Sequence, residues 1–490
     1  MDPSGTRSVS SPAAFAADAN GPAAFAAAHA DHLTGRLDAA AAAYRALLGT
    51  PDEVLGTRTL LAAILRAQGV EGEADTLERG EIAPLDARAR ARLGRALLAM
   101  DDPMAARTQA RTLVELGDGD AQEEGLLILA RANLALGDRS GAETALWRVL
   151  EGEHPSTEAV LLLARLLRGD GRVAQALDML TVILARRPDN LDLARERARI
   201  LLARGQWAEG WAEWAAVDAA AGLGPKGEPW DVANPEGVRV LLRAGESIEE
   251  TLLFLRFAGR LAKAGAVVSI EAPESILPLL TLGHGIARLG PPGGLGEDHD
   301  HILPLSALPG LLGVTPESLD GDGAYLEVSL DRILDWGARL EPGLNLGLDW
   351  SAGPPLEDLA PLLTLPGVNR IALAWADGPA LEAAEPWGGR LCFPLGPGGG
   401  TLLDLAGLLF SMDLVVTSES MVAHLAGALG RPCWVLLPVD AEWYWGSEGE
   451  TTPWYPSLRL FRQDGPEDWR GPVWAAAAAV GRALGETSRG

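Results

Sequence analysis

The sequence predicts a two-part α + α/β protein: an amino-terminal stack of about six helix pairs, followed by two doubly wound lobes built on parallel sheets. Three observations carry this. Glycines recur at 34 residues or a multiple of it through the first half, at Gly35, Gly69, Gly137, Gly171 and Gly205. A Gly- and Pro-rich stretch, "AGLGPKGEPWDVANPEG", then breaks the period. Beyond it, short apolar runs alternate with helical patterns, the signature of parallel strands joined by crossover helices.

The missing member of the glycine series falls at Pro103, beside Asp101 and Asp102, itself a turn signal. Five residues after each turn position come Ala40, Ala74, Thr108, Ala142, Ala176 and Gly210. Four further on lie the large residues Tyr44, Leu146, Leu180 and Trp214, with Glu78 beside Leu77 breaking the series. A turn glycine, a small residue where two helices approach and a bulky one filling the next groove make a helix-turn-helix unit. Residues 159–188, "AVLLLARLLRGDGRVAQALDMLTVILARRP", show it best, and the array resembles the tetratricopeptide repeat. It is assigned to residues 20–220, after a disordered segment 1–19. A stack of this kind offers a concave groove to a protein or peptide segment, the expected partner.

After a linker at 221–236, two lobes are expected at 237–340 and 341–490. Strands are read at 238–244 and 266–272 with helices near 249–263 and 274–282, then at 344–350, 370–375, 390–395, 413–418 and 433–438. In such sheets ligands sit beyond the carboxyl ends of the strands, so the site is expected in the crevice between the lobes.

Residues 413–463 are the most specific stretch. They read as strand, polar turn from Thr417 to Ser420, helix with a small face (Ala423, Ala426, Ala428), glycine stop, strand and aromatic loop. Ser418 is placed as the helix cap, with Glu419 at the helix's positive end, where an anionic ligand could otherwise use the free amides. "AHLAGALGRP", "WVLLP" and "PWYPSLRLFRQ", with "GQWAEGWAEW" and "EPW" upstream, resemble bacterial tetratricopeptide-repeat glycosyltransferases, relatives of the O-linked N-acetylglucosamine transferases and heptosyltransferases. That resemblance implies a GT-B fold, a nucleotide-sugar donor on the second lobe and an acceptor on the first. It points to Glu250 as the base on the acceptor hydroxyl, and to Ser418, Glu419, Ser420, His424, Glu442, Trp443 and Arg462 at the donor. It implies no metal and no cofactor other than the donor itself.

Several positions depart from the family. Where active relatives carry a turn of the type E-Q-G-x-G-D-T, this chain has Gly245-Glu246-Ser247-Ile248-Glu249-Glu250-Thr251, with both turn glycines replaced. Ser418-Glu419-Ser420 stands for a valine-aspartate-threonine, and Glu442-Trp443-Tyr444 for an aspartate-tryptophan-arginine. Lys226 and Lys263 are the chain's two lysines, while a diphosphate leaving group needs cationic or dipolar stabilisation. Two functions therefore stand: sugar transfer to a protein held by the repeats, or a catalytically inactive transferase remnant serving as a protein-binding scaffold. His424 reads either as a donor to a phosphate or sugar oxygen or as a core residue. Trp443, Tyr444, Trp445, Trp454 and Tyr455 read either as a stacking platform or as packing.

Composition bounds the rest. With 48% hydrophobic and 22% charged residues the chain is globular. A net charge of −26, most of it in the α/β half, repels phosphates and anionic headgroups, so neither nucleic acid nor membrane is an expected partner. Cys392 and Cys433, both in runs read as strands, form no disulfide framework, and the segment near Arg7 lacks the apolar core of a signal peptide. A cytoplasmic protein is expected.

Overall fold

The computed structural model describes residues 21–487, apart from 34–35, 48–56, 68–86, 153–154, 225–229, 231, 281–284, 320–322, 374–383, 388–390, 397–399 and 467. The expectations for segment 1–19, for Gly35 and Gly69, and for Ala74, Leu77 and Glu78 lie outside the described residues. The chain forms two compact units, 1–166 and 167–490.

The first unit is helical: α1 (Gly21–Leu33), α2 (Leu37–Leu47), α3 (Thr57–Ala67), α4 (Ala87–Ala99), α5 (Pro103–Leu116), α6 (Gly119–Ala135), α7 (Arg139–Leu150) and most of α8 (Thr157–Gly169). Successive helices pack on one another, α1 on α2, α4 on α5 and α6 on α7 among them. Ala40, Tyr44, Ala142 and Leu146 are fully buried, as the repeat spacing requires. The turn at Gly137 has φ +74°, a left-handed conformation that glycine adopts without a Cβ clash. The third unit departs from the expected register. Asp101, not Pro103, occupies the left-handed turn position, with φ +57°, and Asp102 caps α5 by accepting from the Ala105 amide. Counting five from Asp101 gives Ala106, which is fully buried, whereas Thr108 is exposed. Proline at the first helical position forces this slip, since it can start a helix but cannot supply the turn.

The second unit holds the end of α8, α9 (Val173–Arg186), α10 (Leu191–Ala203), α11 (Trp207–Ala220) and both sheets. Gly171 and Gly205 repeat the left-handed turn at φ +73° and +77°. The array was expected to end at residue 220, where α11 stops, and its last helices share a core with the lobes. Trp207, Trp211 and Trp214 of α11 pack with Phe254, Trp443 and Trp454, which leaves no apolar break at that point.

The first sheet has strand order β3-β2-β1-β4, all parallel: β1 (Arg239–Arg243), β2 (Val267–Glu271), β3 (Arg288–Gly290) and β4 (His301–Pro304). Helix α12 (Ile248–Lys263) crosses from β1 to β2 and buries nine consecutive positions, Thr251 to Gly259, and Leu261 beyond them. The second sheet has order β6-β5-β7-β8-β9, also parallel: β5 (Leu344–Asp349), β6 (Val368–Ala372), β7 (Leu414–Ser418), β8 (Cys433–Leu437) and β9 (Leu458–Arg462). Helices α13 (Leu330–Gly337), α14 (Leu402–Phe410), α15 (Met421–Ala428) and α16 (Arg470–Thr487) accompany it. Apolar residues of α16, including Val473, Ala476 and Val480, cover one face of this sheet against Leu348, Val416 and Phe461.

Two expected elements are shorter. The 390–395 run contributes a single bridge, Ile371 with Cys392, because Pro394 and Gly396 stop further pairing, and Cys392 is exposed. Of the 274–282 helix, one turn, Leu277–Leu280, lies within the described residues.

Helices α12 and α15 pack together and join the two sheets. Gly427 makes this possible, for a Cβ there would stand 2.4 Å from the ring of Tyr455. A buried polar chain runs through the same contact. The Arg256 guanidinium donates to the Tyr325 hydroxyl at 3.3 Å, that hydroxyl donates to the Leu252 carbonyl at 2.8 Å, and Tyr455 follows at 3.5 Å. Its far end is His424, whose Nδ1 lies 3.0 Å from the Tyr455 hydroxyl.

Candidate functional site

In the second sheet the chain winds one way from β5 to β6 and the other way from β7 to β9, so the crevice for a ligand opens between the carboxyl ends of β5 and β7. Asp349 ends β5 there and is 3% exposed. One carboxylate oxygen accepts from the Thr417 hydroxyl at 2.7 Å and the Ser420 hydroxyl at 2.6 Å; the other accepts from the Ser351 amide at 3.2 Å. The cap of α15 is Ser420, which accepts from the Val422 amide, and not Ser418 as the sequence reading had it. Ser418 is still in the strand, buried, and its hydroxyl accepts from the Ala352 amide at 3.3 Å. The loop after β5 is pressed onto it so closely that a Cβ at Gly353 would lie 2.3 Å from the Ser418 Cβ. The start of α15 thus already carries a carboxylate, held by the Thr417 and Ser420 hydroxyls.

Because Asp349 accepts from the buried Thr417 hydroxyl and the half-buried Ser420 hydroxyl at once, Asp349→Ala is expected to destabilise the protein by about 2 to 3 kcal/mol, the range for hydrogen bonds to a charged group. Chemical denaturation followed by circular dichroism checks this; a loss under about 0.5 kcal/mol, the range of surface changes, contradicts it.

Further carboxylates act on one another here. Glu419 is half-buried and its Oε1 accepts from the Glu442 amide at 2.7 Å. Burial, with the Glu442 and Asp440 carboxylates nearby, pushes its pKa up to about 8 against the pull of the Glu442 amide. Glu250 sits in the first turn of α12, where its amide donates to the capping Ser247 hydroxyl at 3.1 Å. Burial raises its pKa although Arg199, 3.9 Å away, and Arg195 oppose the shift. Tyr444 feels the same carboxylates. Burial, then Glu419, Glu442, Glu249 and Glu250, push its hydroxyl well above the ordinary phenol range.

The remaining sequence-selected residues sit elsewhere. His424 is fully buried, ringed by Tyr444, Trp445 and Tyr455 at 4.7 to 5.7 Å between centroids. Burial and Arg256 depress its pKa to about 3, so it is neutral at ordinary pH and does not face the cleft. Trp443 is 2% exposed, stacked on Phe254 and edge-on to Trp211, which makes it core and not a platform. Arg462 donates to the carbonyls of Trp445 at 2.6 Å and Gly449 at 2.9 Å and so holds the aromatic loop. It also lines a crevice of about 730 Å³ with Arg168, Arg204 and Gln463, beyond the ends of β8 and β9. Of the selected residues Glu419 and Glu442 are therefore in contact, and Glu250 feels the Glu442 charge; Ser418 ends β7 and Ser420 caps α15.

Sequence reasoning missed Asp349, Arg195 and Arg199. A carboxylate ending the apolar run "LNLGLD" was a usable signal, because an ionised group at a strand's carboxyl end needs a partner. The two arginines sit on a repeat helix, and nothing local ties them to Glu250. Among the described residues no three His, Cys, Asp or Glu side chains come together as a metal-holding group.

No known family profile matches this sequence. It is similar to protein FlbA of Caulobacter vibrioides, 25% identical over 334 residues, which are 60% of this chain and 56% of FlbA, so the chain spans little more than half the length of that relative. Among solved structures it is similar to a family 9 glycosyl transferase of Veillonella parvula, 12% identical over 51% of this chain and 90% of that one, with a TM-score of 0.37. It is also similar to the O-GlcNAc transferase of Thermobaculum terrenum, 14% identical over 82% of this chain and 91% of that one, with a TM-score of 0.30. Both scores lie below 0.5, and the two-sheet architecture rests on this chain's own strand order.

Proposed function

We propose that the chain is a glycosyltransferase-like scaffold of GT-B type. Its tetratricopeptide-like repeats bind a partner protein, and its α/β lobes have lost sugar transfer. The observation that carries this is the Asp349 carboxylate seated at the start of α15 on Thr417 and Ser420. A diphosphate placed there meets that charge and, beyond it, Glu419 and Glu442. Two like charges about 4 Å apart near a protein surface repel by roughly 4 kcal/mol, more than a helix terminus returns. The expected partner class follows from charge: an anionic polymer or lipid surface is disfavoured, and no described helix is long and apolar enough to cross a membrane.

The test is a thermal-shift screen with UDP-, GDP-, ADP- and CMP-sugars at millimolar concentration. No shift is expected; stabilisation above about 2 °C by one of them, which linkage ties to real binding, contradicts the scaffold reading. Sugar transfer remains the second reading, favoured by one observation: burial raises the pKa of Glu250 at the start of α12, as a general base on a hydroxyl requires. Were turnover found, Glu250→Gln should abolish it with the melting temperature preserved, and unchanged turnover removes Glu250 from the chemistry.

A further inference from the structure

The crevice of about 730 Å³ beyond the ends of β8 and β9 is lined entirely by residues of the second unit. Its size is that of sites which enclose a small ligand or the end of a larger one. Its walls are held in place. Arg168, near the end of α8, donates to Glu196 at 2.9 Å and to the carbonyls of Asp440 and Ala441 at 3.2 and 2.8 Å, which clamps the loop after β8 to the repeat helices. Arg462 ties down the aromatic loop through its Nε and Nη2, and its Nη1 has no partner among the described residues. Gln463 is the most buried polar residue of the lining, at 7% exposed. Its backbone amide donates to the Leu437 carbonyl at 3.0 Å and its Oε1 accepts from the Val439 amide at 3.3 Å, which fixes the sense of the side-chain amide. The NH2 of that amide is then left with no acceptor among the described residues. A buried donor in this state costs free energy and needs a reason. Arg204, the residue that ends α10, is exposed on the same crevice and bonds to no described residue.

We propose that this crevice binds the free carboxyl terminus of a partner protein. The NH2 of Gln463 and the guanidiniums of Arg462 and Arg204 are donors without acceptor capacity, and the two positive charges favour a carboxylate over a neutral carbonyl. The same lining supplies acceptors. Helices α8 and α10 end at Gly169 and Ala203, where the last carbonyls of a helix have no intrahelical partner, and Glu448 and Asp464 are exposed there. These suit the backbone N–H groups that a peptide carries next to its terminal carboxylate, so one chain end answers both sets. A phosphate brings more negative charge and no donors to the same acidic groups, and the chain's field of −26 repels it further. The inference deepens the scaffold reading and rests on it, naming the part of the partner that is held.

The test uses the full chain with N-acetyl-trialanine, its carboxyl-terminal amide and unacetylated trialanine, each followed by calorimetry up to about 10 mM. The acetylated acid is expected to bind saturably at one site, and the amide at least about tenfold more weakly, the loss of a charge-assisted pair. Gln463→Glu keeps an acceptor for the Val439 amide but sets an anionic oxygen where the NH2 stood, and should weaken binding about tenfold by like-charge repulsion. Arg204→Gln, at an exposed position with no structural bond to lose, should weaken it severalfold whatever Gln463→Glu does to stability. Arg288→Gln, exposed on β3, makes the same change of charge outside the crevice and should leave binding unchanged. Equal binding of the amide, equal weakening by Arg288→Gln, the absence of saturation, or full displacement by equimolar acetate or phosphate would overturn the proposal. So would binding confined to unacetylated trialanine, the mark of a site for free peptides. The two readings separate: a nucleotide-sugar that raises the melting temperature removes the scaffold reading, whereas silence toward both sugars and the acetylated acid removes the terminus site alone.

Discussion

Trp454→Ala is expected to lower the unfolding free energy by about 3 to 5 kcal/mol, the range for deleting a large aromatic from a packed core. The residue is 1% exposed and joins three parts of the second unit. It stacks on Trp207 of α11 at 5.2 Å, meets Phe254 and Phe257 of α12 edge-on at 6.3 to 6.4 Å, and meets Trp443 of the second lobe at 5.7 Å. Arg256, stacked 5.5 Å from its centroid, loses a cation–π partner as well. Truncation therefore opens a cavity where no neighbour is free to collapse, because each is pinned by another ring. Against a total of about 5 to 15 kcal/mol for an ordinary domain this is a large share. Urea denaturation is the measurement, with Trp474→Ala as its control: Trp474 is 64% exposed on α16, and its loss should stay within about 0.5 kcal/mol. If the two variants cost the same, the aromatic hub is not what joins the repeats to the lobes.

Much of that architecture was legible because it repeats or alternates. A 34-residue turn period shows at Gly137, Gly171 and Gly205 because each needs a left-handed φ that few other residues accept. Continuous apolar runs such as "VRVLL" and "LVVTS" mark strands buried on both faces. Other features were hidden for physical reasons. Strands β3 and β4, of three and four residues, are too short to build a periodicity, and α16 reads as an alanine run with no clear polar face. The slip at Asp101 was masked because an aspartate in a glycine's position leaves no gap to notice. The site was harder still. Pairings such as Asp349 with Ser420, or Glu250 with Arg199, join residues 71 and 51 positions apart, and spacing along the chain says nothing of them. The sequence placed Glu250, Glu419 and Glu442 as substitutes for family residues; what they do to each other's charge emerges only once the chain is folded.

Stability should peak in mildly acidic solution and fall on both sides, for two opposed reasons within one core. His424, buried beside Arg256, has its pKa depressed to about 3 from the usual 6.5. Between those values the unfolded chain binds a proton that the folded chain refuses, so stability falls as pH drops below 6.5, by up to about 1.4 kcal/mol per unit. Glu419 runs the other way. Its pKa is raised from the usual 4.5 to about 8, so between those values the folded chain holds the proton and stability falls as pH rises. Glu250, also raised by burial, adds to the same limb. From pH 4.5 to 6.5 the two slopes oppose each other, which leaves a plateau; below it histidine dominates, and above it the glutamates do. Calorimetric melting temperatures from pH 4 to 9 at constant ionic strength should trace this shape. His424→Gln keeps a hydrogen-bonding partner for the Tyr455 hydroxyl without a titrating group; it should flatten the descent below pH 4.5 and turn the plateau between 6.5 and 4.5 into a rise toward acid, the Glu419 slope acting alone there. Glu419→Gln keeps an acceptor for the Glu442 amide, and should flatten the descent from 6.5 to 8 while raising the melting temperature at pH 8. A wild-type maximum at pH 8, or an acid limb untouched by His424→Gln, would show that the histidine is reached by solvent and that the α12 and α15 contact opens in solution.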